Sequence, residues 1–522
     1  MVTEDQSGVI ALLSRAETFG VATLDRIETH SAIVFLAGTR AWKLKRAVRY
    51  DYLDFSSRER RKASCEAEVR LNRRTAPALY RGVVAVTREA DGSLALAGSG
   101  SPVDWVVEMN RFDQSALFDR LALGGGLTIE LMSALGAEIA RFHRAAEERL
   151  DLGGQAGMRW VIDGNALGFS EFGERMLDRS ACERLTASAR AELARVAPLL
   201  DRRRRQGFVR QCHGDLHLRN IVLLDGRPTL FDGVEFNDEI ACVDVMYDLA
   251  FLLMDLWKRA LPGHANAVLN SYLAEAGDLD GLGGLPLYLS CRAAVRAKTS
   301  ATSARLQADE RAAGDLQRLA HEYLAMAERL LHPPPPRLVA IGGLSGSGKS
   351  TLARALAPLA GRAPGAVVLR SDAIRKQICG VRPLDRLGPE GYTPEVSQRV
   401  YRALAERAAL IVAAGHSAIT DAVYARPEDR AAIERVAANA GVPFDGVWLE
   451  APERIMIDRV STRGRDASDA DASVVRRQHA QETGSLGAWR RIDAARSSEA
   501  VLDAVAVDLG IDHAELAMQR SW

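Results

Sequence analysis

Apolar and polar positions divide the chain into a strand-rich region, a helical region and a mixed region. Before residue 128, short apolar runs bounded by turn residues predict strands around one helix from about Arg58 to Arg74. From Thr128 the pattern is mainly helical, with short strands only between residues 209 and 231. The strands predicted in these two regions are Ser31 to Leu36, Ala41 to Leu44, Asp104 to Met109, Val209 to Gln211, Asn220 to Leu224 and Thr229 to Phe231. We therefore expect a small β-rich lobe followed by a large helical lobe, which together form an α+β fold.

The region after residue 337 alternates strands with helices. Apolar runs predict its strands, and a helical pattern begins soon after each one. These strands are Leu338 to Ile341, Ala366 to Leu369, Ser417 to Thr420 and Gly446 to Leu449. Such alternation implies a parallel sheet whose strands are joined by crossover helices, which is an α/β fold.

A proline run separates the two regions of different fold. His332 is followed by Pro333 to Pro336, which end the helical pattern of Leu316 to Leu331 and favour an extended conformation. We expect a domain of residues 1–331, a linker of residues 332–336 and a domain of residues 337–522.

The composition is that of a globular protein without a global electrostatic field. Hydrophobic residues make up 47% of the 522 residues, and 68 basic residues balance 68 acidic ones. This balance argues against a nucleic-acid partner and against binding to an anionic membrane. The run Arg202 to Arg205 ends a polar helical stretch, where we expect a solvated face that favours the helix dipole.

The cysteines and the apolar runs indicate a cytoplasmic protein. The six cysteines are scattered without C-x-x-C spacing, which argues against structural zinc and against a disulfide framework. The first seven residues are polar, and no uninterrupted apolar stretch approaches the roughly 18 residues of a membrane span. We expect no membrane partner, and no feature of the sequence specifies an oligomeric state.

A phosphate-binding motif follows the first strand of the mixed region. Residues 343–350, Gly-Leu-Ser-Gly-Ser-Gly-Lys-Ser, match G-x-x-x-x-G-K-[ST] between a predicted strand and a predicted helix. Glycines allow backbone N–H groups to surround a phosphate, Lys349 would reach the β- and γ-phosphates, and the Ser350 hydroxyl would ligate Mg²⁺. The predicted nucleotide-binding residues are Gly343, Ser345, Gly346, Ser347, Gly348, Lys349, Ser350 and Thr351.

Polar residues at the ends of the later strands supply candidate catalytic groups. Asp372 follows the second strand, where it could deprotonate an acceptor hydroxyl while Arg375 holds the acceptor's anionic groups; a helix N-cap is the alternative for Asp372. Asp421 ends the third strand and is predicted to lie near Mg²⁺. Arg459 and Arg463 share a helix face and could clamp phosphate oxygens, although a solvated arginine face would also explain them.

Residues 337 to 515 resemble the small P-loop kinases related to polynucleotide kinase, zeta toxin, gluconate kinase and chloramphenicol phosphotransferase. The matching segments are GLSGSGKS, SDAIR, the strand end at Asp421 and the arginines from Arg459 to Arg465. The resemblance implies that Asp372 activates the acceptor hydroxyl and that the lid arginines contact the nucleotide.

The helical region carries a second group of catalytic residue types. Asp215 and Asn220 lie five apart in His-Gly-Asp-Leu-His-Leu-Arg-Asn, and Asp232 follows the next hairpin. Phosphoryl transfer uses one carboxylate to orient the acceptor hydroxyl and an Asn–Asp pair to hold Mg²⁺ on the phosphates. His217 and Glu235 could support these groups or serve as structural hydrogen-bonding residues.

Residues 25 to 330 resemble the aminoglycoside phosphotransferase and choline kinase branch of the protein-kinase-like fold. The resemblance implies that Asp215 is the catalytic aspartate, that Asn220 and Asp232 are the metal ligands, and that buried Asp248 braces the loop. It also implies that Lys43 binds the α- and β-phosphates and pairs with Glu68.

Two features of this second match stay open. Lys45 and Glu66 are rivals of Lys43 and Glu68, because residues two apart on a strand share a face. No G-x-G-x-x-G loop precedes Lys43, so either ATP or GTP could be the nucleotide.

The order of the two halves is similar to that of the bifunctional aminoglycoside phosphotransferase/ATP-binding proteins. We expect each half to transfer a γ-phosphoryl group from ATP or GTP to a small-molecule hydroxyl with Mg²⁺. The alternatives are a nucleotide-binding regulatory protein and polynucleotide 5′-end kinase activity in the C-terminal half. Both halves contain a candidate acceptor-activating carboxylate, Asp215 and Asp372, which favours an enzyme over a regulatory protein.

Overall fold

The computed structural model describes residues 3–172, 176–382, 384–462, 464, 467–480 and 483–511. They form two compact units. The first unit extends to Trp160 and also includes Leu200–Leu252, and the second combines Val161–Leu199 with the chain from Leu253 onward. The proline segment therefore lies within the second unit, and the predicted domain boundaries at residues 331 and 337 stay a prediction.

The chain before the proline segment contains twelve strands and eleven helices among its described residues. The strands are β1 (Leu24–Glu28), β2 (Ala32–Ala37), β3 (Arg40–Lys45), β4 (Arg49–Tyr50), β5 (Leu53–Asp54), β6 (Tyr80–Arg88), β7 (Leu94–Leu96), β8 (Ser101–Asn110), β9 (Val209–Gln211), β10 (Ile221–Leu224), β11 (Arg227–Leu230) and β12 (Cys242–Asp244). The helices are α1 (Ser7–Leu13), α2 (Arg58–Asn72), α3 (Phe118–Leu123), α4 (Ile129–Ala145), α5 (Gly154–Ser170), α6 (Arg179–Arg205), α7 (Asp238–Ala241), α8 (Val245–Lys258), α9 (Pro262–Ala276), α10 (Leu285–Leu306) and α11 (Glu310–Leu331).

The first unit is built around a six-stranded antiparallel sheet of order β1-β2-β3-β8-β6-β7. Successive residues of a strand point to opposite faces, so Val106 and Val107 of β8 pack in two different apolar clusters. Helix α2 covers the face of Val107, where it contributes Cys65 and Val69 to the cluster. Lys43 is the cross-strand partner of Val107, so it lies on the face that α2 covers.

The basic run at the end of α6 differs from the solvated face that we predicted. Arg203 is fully buried, and its guanidinium donates to both carboxylate oxygens of Asp244 at 2.8 and 2.9 Å. The guanidinium carbon also lies 4.2 Å from the ring centre of Phe208. Sequence periodicity did not predict the burial of Arg203, because its partners lie in the loop and strand segments that follow the helix. Arg202 and Arg205 are exposed, as expected.

The chain after the proline segment contains five strands and seven helices among its described residues. The strands are β13 (Leu338–Gly343), β14 (Val367–Arg370), β15 (Ala418–Asp421), β16 (Phe444–Glu450) and β17 (Arg490–Asp493). The helices are α12 (Lys349–Leu356), α13 (Ser371–Ile378), α14 (Pro394–Ala413), α15 (Pro427–Ala440), α16 (Glu453–Thr462), α17 (Ala472–His479) and α18 (Ser498–Asp508).

These five strands form a parallel sheet of order β14-β15-β13-β16-β17. All six residues of β13 are buried, as expected for a strand covered on both faces. The parallel sheet confirms the predicted α/β class, and the four strands that we predicted are present. The fifth strand, β17, has the polar sequence Arg-Arg-Ile-Asp, so apolar periodicity did not detect it.

Two asparagines of α9 bind the edge strand of the parallel sheet within the second unit. The Asn266 side-chain amide donates to the backbone oxygens of Pro364 and Ala366 at 3.1 and 3.0 Å. The backbone N–H of Val368 donates to the side-chain oxygen of Asn270 at 2.7 Å. A helix that precedes the proline segment thus satisfies backbone groups of the sheet that follows it. Among the described helices, none combines the length and apolar character required to cross a membrane.

His416 is a buried imidazole at the start of β15. Its Nε2 lies 2.7 Å from the backbone oxygen of Gly365 and is fully enclosed. Burial, together with the nearby charge of Arg362, lowers the pKa of His416 to about 3. The imidazole is therefore neutral in the folded chain at neutral pH.

We predict that His416 makes the second unit less stable in mild acid. The folded-state pKa lies below the unfolded value, so stability is full above about pH 6.5 and is lost progressively as pH falls toward 3, with a loss of about 2 kcal/mol at pH 5. In urea unfolding of the full chain at pH 7 and pH 5, His416→Gln should show a smaller decrease than the wild type. Exposed His321→Gln is the control, and an equal pH dependence in the wild type and both variants would contradict the prediction.

Candidate active sites

Two lysines of β3 converge on one buried glutamate in the first unit. Lys43 Nζ lies 2.9 Å from Glu68 Oε1, and Lys45 Nζ lies 2.6 Å from Glu68 Oε2. Lys43 also contacts Asp232 Oδ1 at 2.6 Å, and Lys45 contacts Glu235 Oε1 at 2.5 Å. The alternation of β3 explains this geometry, because residues 43 and 45 both face α2.

The rival glutamate of the sequence analysis lies elsewhere. Glu66 is exposed on α2, and its carboxylate is 3.8 Å from the ammonium of Lys62. The geometry thus joins both lysines to Glu68 and neither to Glu66. The role of Lys43 and Glu68 in nucleotide binding stays a prediction.

Charge pairing keeps these lysines protonated. Burial alone would lower the pKa of Lys43, but the carboxylates of Asp232, Glu68 and Glu235 raise it well above its ordinary value. The pKa of Lys45 is raised in the same way by Glu235 and Glu68. For Glu235 burial outweighs the attraction of Lys45, and the pKa of its carboxyl is raised.

The carboxylate of Asp248 anchors the loop that carries Asp215 through hydrogen bonds to its backbone. The carboxylate of Asp248 accepts from the backbone N–H groups of Gly214 and His213 at 2.8 and 3.1 Å, and it lies 3.0 Å from His143 Nε2. Nearby Cys212 donates to the backbone oxygen of Val243 at 3.5 Å. These contacts explain the buried His143, Cys212 and Asp248 cluster as a brace built from hydrogen bonds.

Asp215 and Asn220 lie together at the end of that loop. The side-chain amide of Asn220 donates to Asp215 Oδ2 at 3.0 Å, and His217 Nε2 is 3.3 Å from the same oxygen. The backbone N–H of Phe231 donates to the backbone oxygen of Asn220 at 3.0 Å, which brings the next residue, Asp232, to this loop.

Asp232 adopts the left-handed backbone conformation, with a φ of 60°. Its backbone N–H donates to the hydroxyl of Tyr80 at 3.1 Å, and its side chain is 42% exposed, so a carboxylate oxygen is open to a ligand. Asp215, Asn220 and Asp232 together offer only oxygen ligands, which suits Mg²⁺. Tyr80 was not predicted, because no neighbouring residue in the sequence marks it as a partner of Asp232.

The loop after β13 in the second unit has the geometry of a phosphate cradle. Gly343, Gly346 and Gly348 have φ values of 136°, 82° and 98°. A Cβ at Gly346 would lie 2.4 Å from the backbone oxygen of Met456, so a larger residue does not fit. The buried hydroxyl of Ser347 has no hydrogen-bond partner among the described residues. Lys349 Nζ donates to the backbone oxygen of Leu344 at 2.9 Å. These features fit the phosphates of a nucleotide.

The proposed metal ligands of this site are in direct contact. The hydroxyl of Ser350 donates to Asp421 Oδ2 at 2.5 Å, and Arg370 Nε lies 3.5 Å from the same oxygen. The Ser350 hydroxyl at the first turn of α12 and the Asp421 carboxylate at the end of β15 provide the hard oxygen ligands that Mg²⁺ prefers.

Asp372 lies beside this pair at the start of α13. Burial, reinforced by the charge of Asp421, raises the pKa of the Asp372 carboxyl above its ordinary value. Ser468 lines the same cavity as Asp372. Asp372 is not the N-cap of α13, because that position belongs to Arg370.

Of the three predicted arginines, two line the same cavity. Arg375 donates through Nη1 to the backbone oxygen of Gly391 at 2.8 Å and stacks on Tyr392 at 5.0 Å. Arg459 donates through Nη2 to the backbone oxygen of Ala494 at 2.8 Å. Its Nη1 lies 3.9 Å from the position of a Cβ on Gly348. Arg463 lies outside the described residues.

The cavity has a volume of about 650 Å³, which lies within the usual range for a small-molecule site. Its walls include residues 345–351, which comprise most of the cradle and the start of α12, together with Asp372, Asp421 and Ser468. Candidate phosphate-binding and acceptor-activating groups thus face one space.

An ion pair that we did not predict joins Asp469, which lines this cavity, to buried Lys376. Asp469 Oδ1 is 3.1 Å from Lys376 Nζ, and Asp469 Oδ2 accepts from Tyr392 and from the backbone N–H of Leu387 at 2.9 and 3.1 Å. Burial would raise the pKa of Asp469, but these hydrogen bonds lower it. Lys376 is one of few lysines in an arginine-rich chain, which was the only available signal.

Comparisons with known proteins match both halves of the chain. The Phosphotransferase enzyme family matches residues 35–285, and the AAA domain family matches residues 338–483. An uncharacterised protein of Mycobacterium tuberculosis is 31% identical over 462 residues, covering 86% of this chain and 88% of the relative.

More distant similarities cover single parts of the chain. An adenylyl-sulfate kinase of Myxococcus xanthus is 36% identical over 118 residues, covering 22% of this chain and 59% of the relative. A solved structure of a choline/ethanolamine kinase family protein from Mesorhizobium loti covers 63% of this chain and 95% of its own, with 13% identity and a TM-score of 0.40.

We predict that Lys45→Met destabilises the first unit by about 3 kcal/mol or more, because it leaves the carboxylate of Glu235 buried without its cation. Exposed Lys62→Met is the matched control. Adding Glu235→Gln to Lys45→Met should restore part of the stability, as measured by urea unfolding of the full chain. Equal effects of Lys45→Met and Lys62→Met would contradict the prediction.

Proposed function

This chain belongs to the family in which an aminoglycoside-phosphotransferase-like domain precedes a P-loop kinase domain, and from that membership we propose that both halves transfer a γ-phosphoryl group. The chain is a kinase, and kinase-type domains imply the use of a nucleotide. The donor proposed for each half is ATP or GTP, and the acceptors are small molecules that carry a hydroxyl group.

The observation that carries the proposal is the cavity of the second unit. A phosphate cradle and a buried carboxylate of raised pKa, Asp372, line the same space. A general base acts best when its pKa lies nearer the working pH, so a raised pKa suits Asp372 to accept the proton of an acceptor hydroxyl. As that oxygen bonds to the γ-phosphorus, the bond to the leaving nucleoside diphosphate breaks.

Positive groups around the cradle would stabilise the charge of the transferred phosphoryl group. Lys349 follows the cradle directly, and Arg459 approaches Gly348. Mg²⁺ held by Ser350 and Asp421 would neutralise part of the phosphate charge when bound. Arg375 and Arg386 line the cavity together with Asp372, so the acceptor proposed here carries an anionic group.

In the first unit, Asp215 is the proposed base, and Asn220 orients its carboxylate through the 3.0 Å hydrogen bond. Lys43, held between Glu68 and Asp232, is proposed to bind the α- and β-phosphates. Asn220 and Asp232 would hold Mg²⁺, which would screen the charge of the phosphates.

The acceptors are best identified by a screen with the full chain. Sugars, aminoglycosides, nucleosides, sulfate-bearing nucleotides and oligonucleotide ends should be offered with ATP or GTP. Asp215→Ala and Lys349→Ala variants assign each activity to one half, and sulfate-bearing nucleotides are included because of the similarity to an adenylyl-sulfate kinase.

We predict that Asp372→Asn in the full chain lowers acceptor phosphorylation by the second unit about 10²–10⁴-fold, because it removes the general base. Nucleotide affinity should change little, since Asp372 is proposed to contact the acceptor and not the nucleotide. Lys349→Ala is the comparison variant, and it should abolish nucleotide turnover in this unit. If Asp372→Asn instead abolishes nucleotide binding by calorimetry, its role as base is wrong.

For the first unit we predict separate effects of its two aspartates, measured in a Lys349→Ala background that silences the second unit. Asp215→Ala should lower turnover about 10²-fold or more with nucleotide affinity nearly unchanged. Asp232→Ala should weaken Mg²⁺-nucleotide binding. The absence of nucleotide binding at millimolar concentration in the Lys349→Ala protein would mean that the first unit is catalytically inactive.

A further inference from the structure

We propose that the side chain of Gln478 competes with the nucleotide for the phosphate cradle of the second unit. The inference rests on the proposed function of that cradle as a nucleotide site. It adds a residue of α17 that sets the nucleotide affinity and that leaves the cradle when the nucleotide binds.

The first argument is a hydrogen bond between the cradle and α17. The backbone N–H of Ser345, the third residue of the G-x-x-x-x-G-K-[ST] motif, donates to Gln478 Oε1 at 2.8 Å. Backbone N–H groups of such a loop are the donors that surround a phosphate. A residue has a single N–H, so the amide oxygen and a phosphate oxygen compete for the same proton.

The second argument is the origin of the oxygens that meet the cradle. Lys349 Nζ donates to the backbone oxygen of Leu344, which belongs to the cradle itself. The oxygen that meets Ser345 comes instead from a helix 133 residues further along the chain. Gln478 also lines the cavity that the cradle opens into. A nucleotide that takes the Ser345 N–H must therefore displace a side chain from another element.

The third argument is that α17 is held by contacts other than Gln478. Asp471 caps its first turn, where Oδ1 accepts from the backbone N–H groups of Ser473 and Val474 at 2.9 and 3.1 Å. Val475 is fully buried in an apolar cluster with Met456 of α16. The Gln478 side chain can thus change its rotamer and leave Ser345 while the helix stays in place.

The exchange of acceptors favours the nucleotide but lowers its affinity. A phosphate oxygen is charged, and hydrogen bonds to charged acceptors are roughly twice as strong as those to a neutral amide oxygen. The nucleotide therefore displaces Gln478, and it loses the contribution of the bond that is broken. A typical intramolecular hydrogen bond corresponds to a factor of about 2 to 10 in affinity.

The test measures binding of Mg²⁺-ATP to the full chain by calorimetry. Because both halves are proposed to bind a nucleotide, each variant is measured with and without Lys349→Ala, and the binding lost with Lys349→Ala is assigned to the second unit. Gln478→Ala removes the competing oxygen, and Gln478→Glu replaces it with a charged one. His479→Ala, at an exposed position of the same helix, is the matched control.

We expect Gln478→Ala to tighten binding by the second unit about 2- to 10-fold, because no hydrogen bond to Ser345 has to be broken. Gln478→Leu keeps the approximate size of the side chain and should tighten binding equally, which separates loss of the acceptor from a gap in the cavity wall. Gln478→Glu should weaken binding, since its carboxylate accepts more strongly and repels the phosphates. His479→Ala should leave the affinity unchanged.

Three results would overturn the inference. Unchanged or weaker binding in both Gln478→Ala and Gln478→Leu overturns it and leaves the proposed function intact, because Gln478 would then be neutral or a ligand of the nucleotide. Equal tightening in His479→Ala also overturns it, since the effect would come from α17 as a whole. Absence of Lys349-dependent binding in the wild type and in every variant overturns both proposals together.

Discussion

A charge removed from water needs a partner of opposite sign, and this constraint governs both candidate sites. In the first unit Glu68 is fully buried, and two lysines share it. In the second unit Asp469 has Lys376 and Asp421 has Arg370. In the second unit Asp372 departs from this pattern, because burial and the charge of Asp421 raise its pKa. A carboxyl whose charged form is disfavoured by burial is thus the one proposed to take up a proton during catalysis.

The sequence predicted those parts of the sites that are contiguous or follow strand ends. The glycines form a loop that ends at Lys349, the first residue of α12, as their spacing predicts. Asp421 reaches Ser350 because parallel strands end at the same edge of a sheet. The sequence likewise placed Asp215, Asn220 and Asp232 in one short segment. A hydrogen bond joins Asn220 to Asp215, and another joins Phe231, the residue before Asp232, to Asn220. Their catalytic and metal-binding roles stay predictions.

Partners that are distant in sequence could not be predicted in this way. Glu235 reaches Lys45 across 190 residues, and Asp469 reaches Lys376 across 93. Arg203 was expected in solvent because its own helix is polar, yet the contacts that bury it come from Asp244 and Phe208. Strand β17 was not predicted, because it lacks an apolar pattern of its own. Its hydrogen-bonded pairing with β16 makes it a strand. Local periodicity records what a segment contributes to a core, but not which distant group completes an ion pair.

The asparagines of α9 change what can be separated in this protein. A parallel edge strand offers unpaired backbone groups on which a strand of another molecule can assemble. Asn266 and Asn270 occupy those groups along the edge that begins at Ala366 and Val368. A protease cut or a gene split at Pro333 to Pro336 would place these two sides on different polypeptides. A fragment beginning at Arg337 would then carry an uncovered sheet edge. Its solubility would depend on whether the polypeptide that contains α9 is also present.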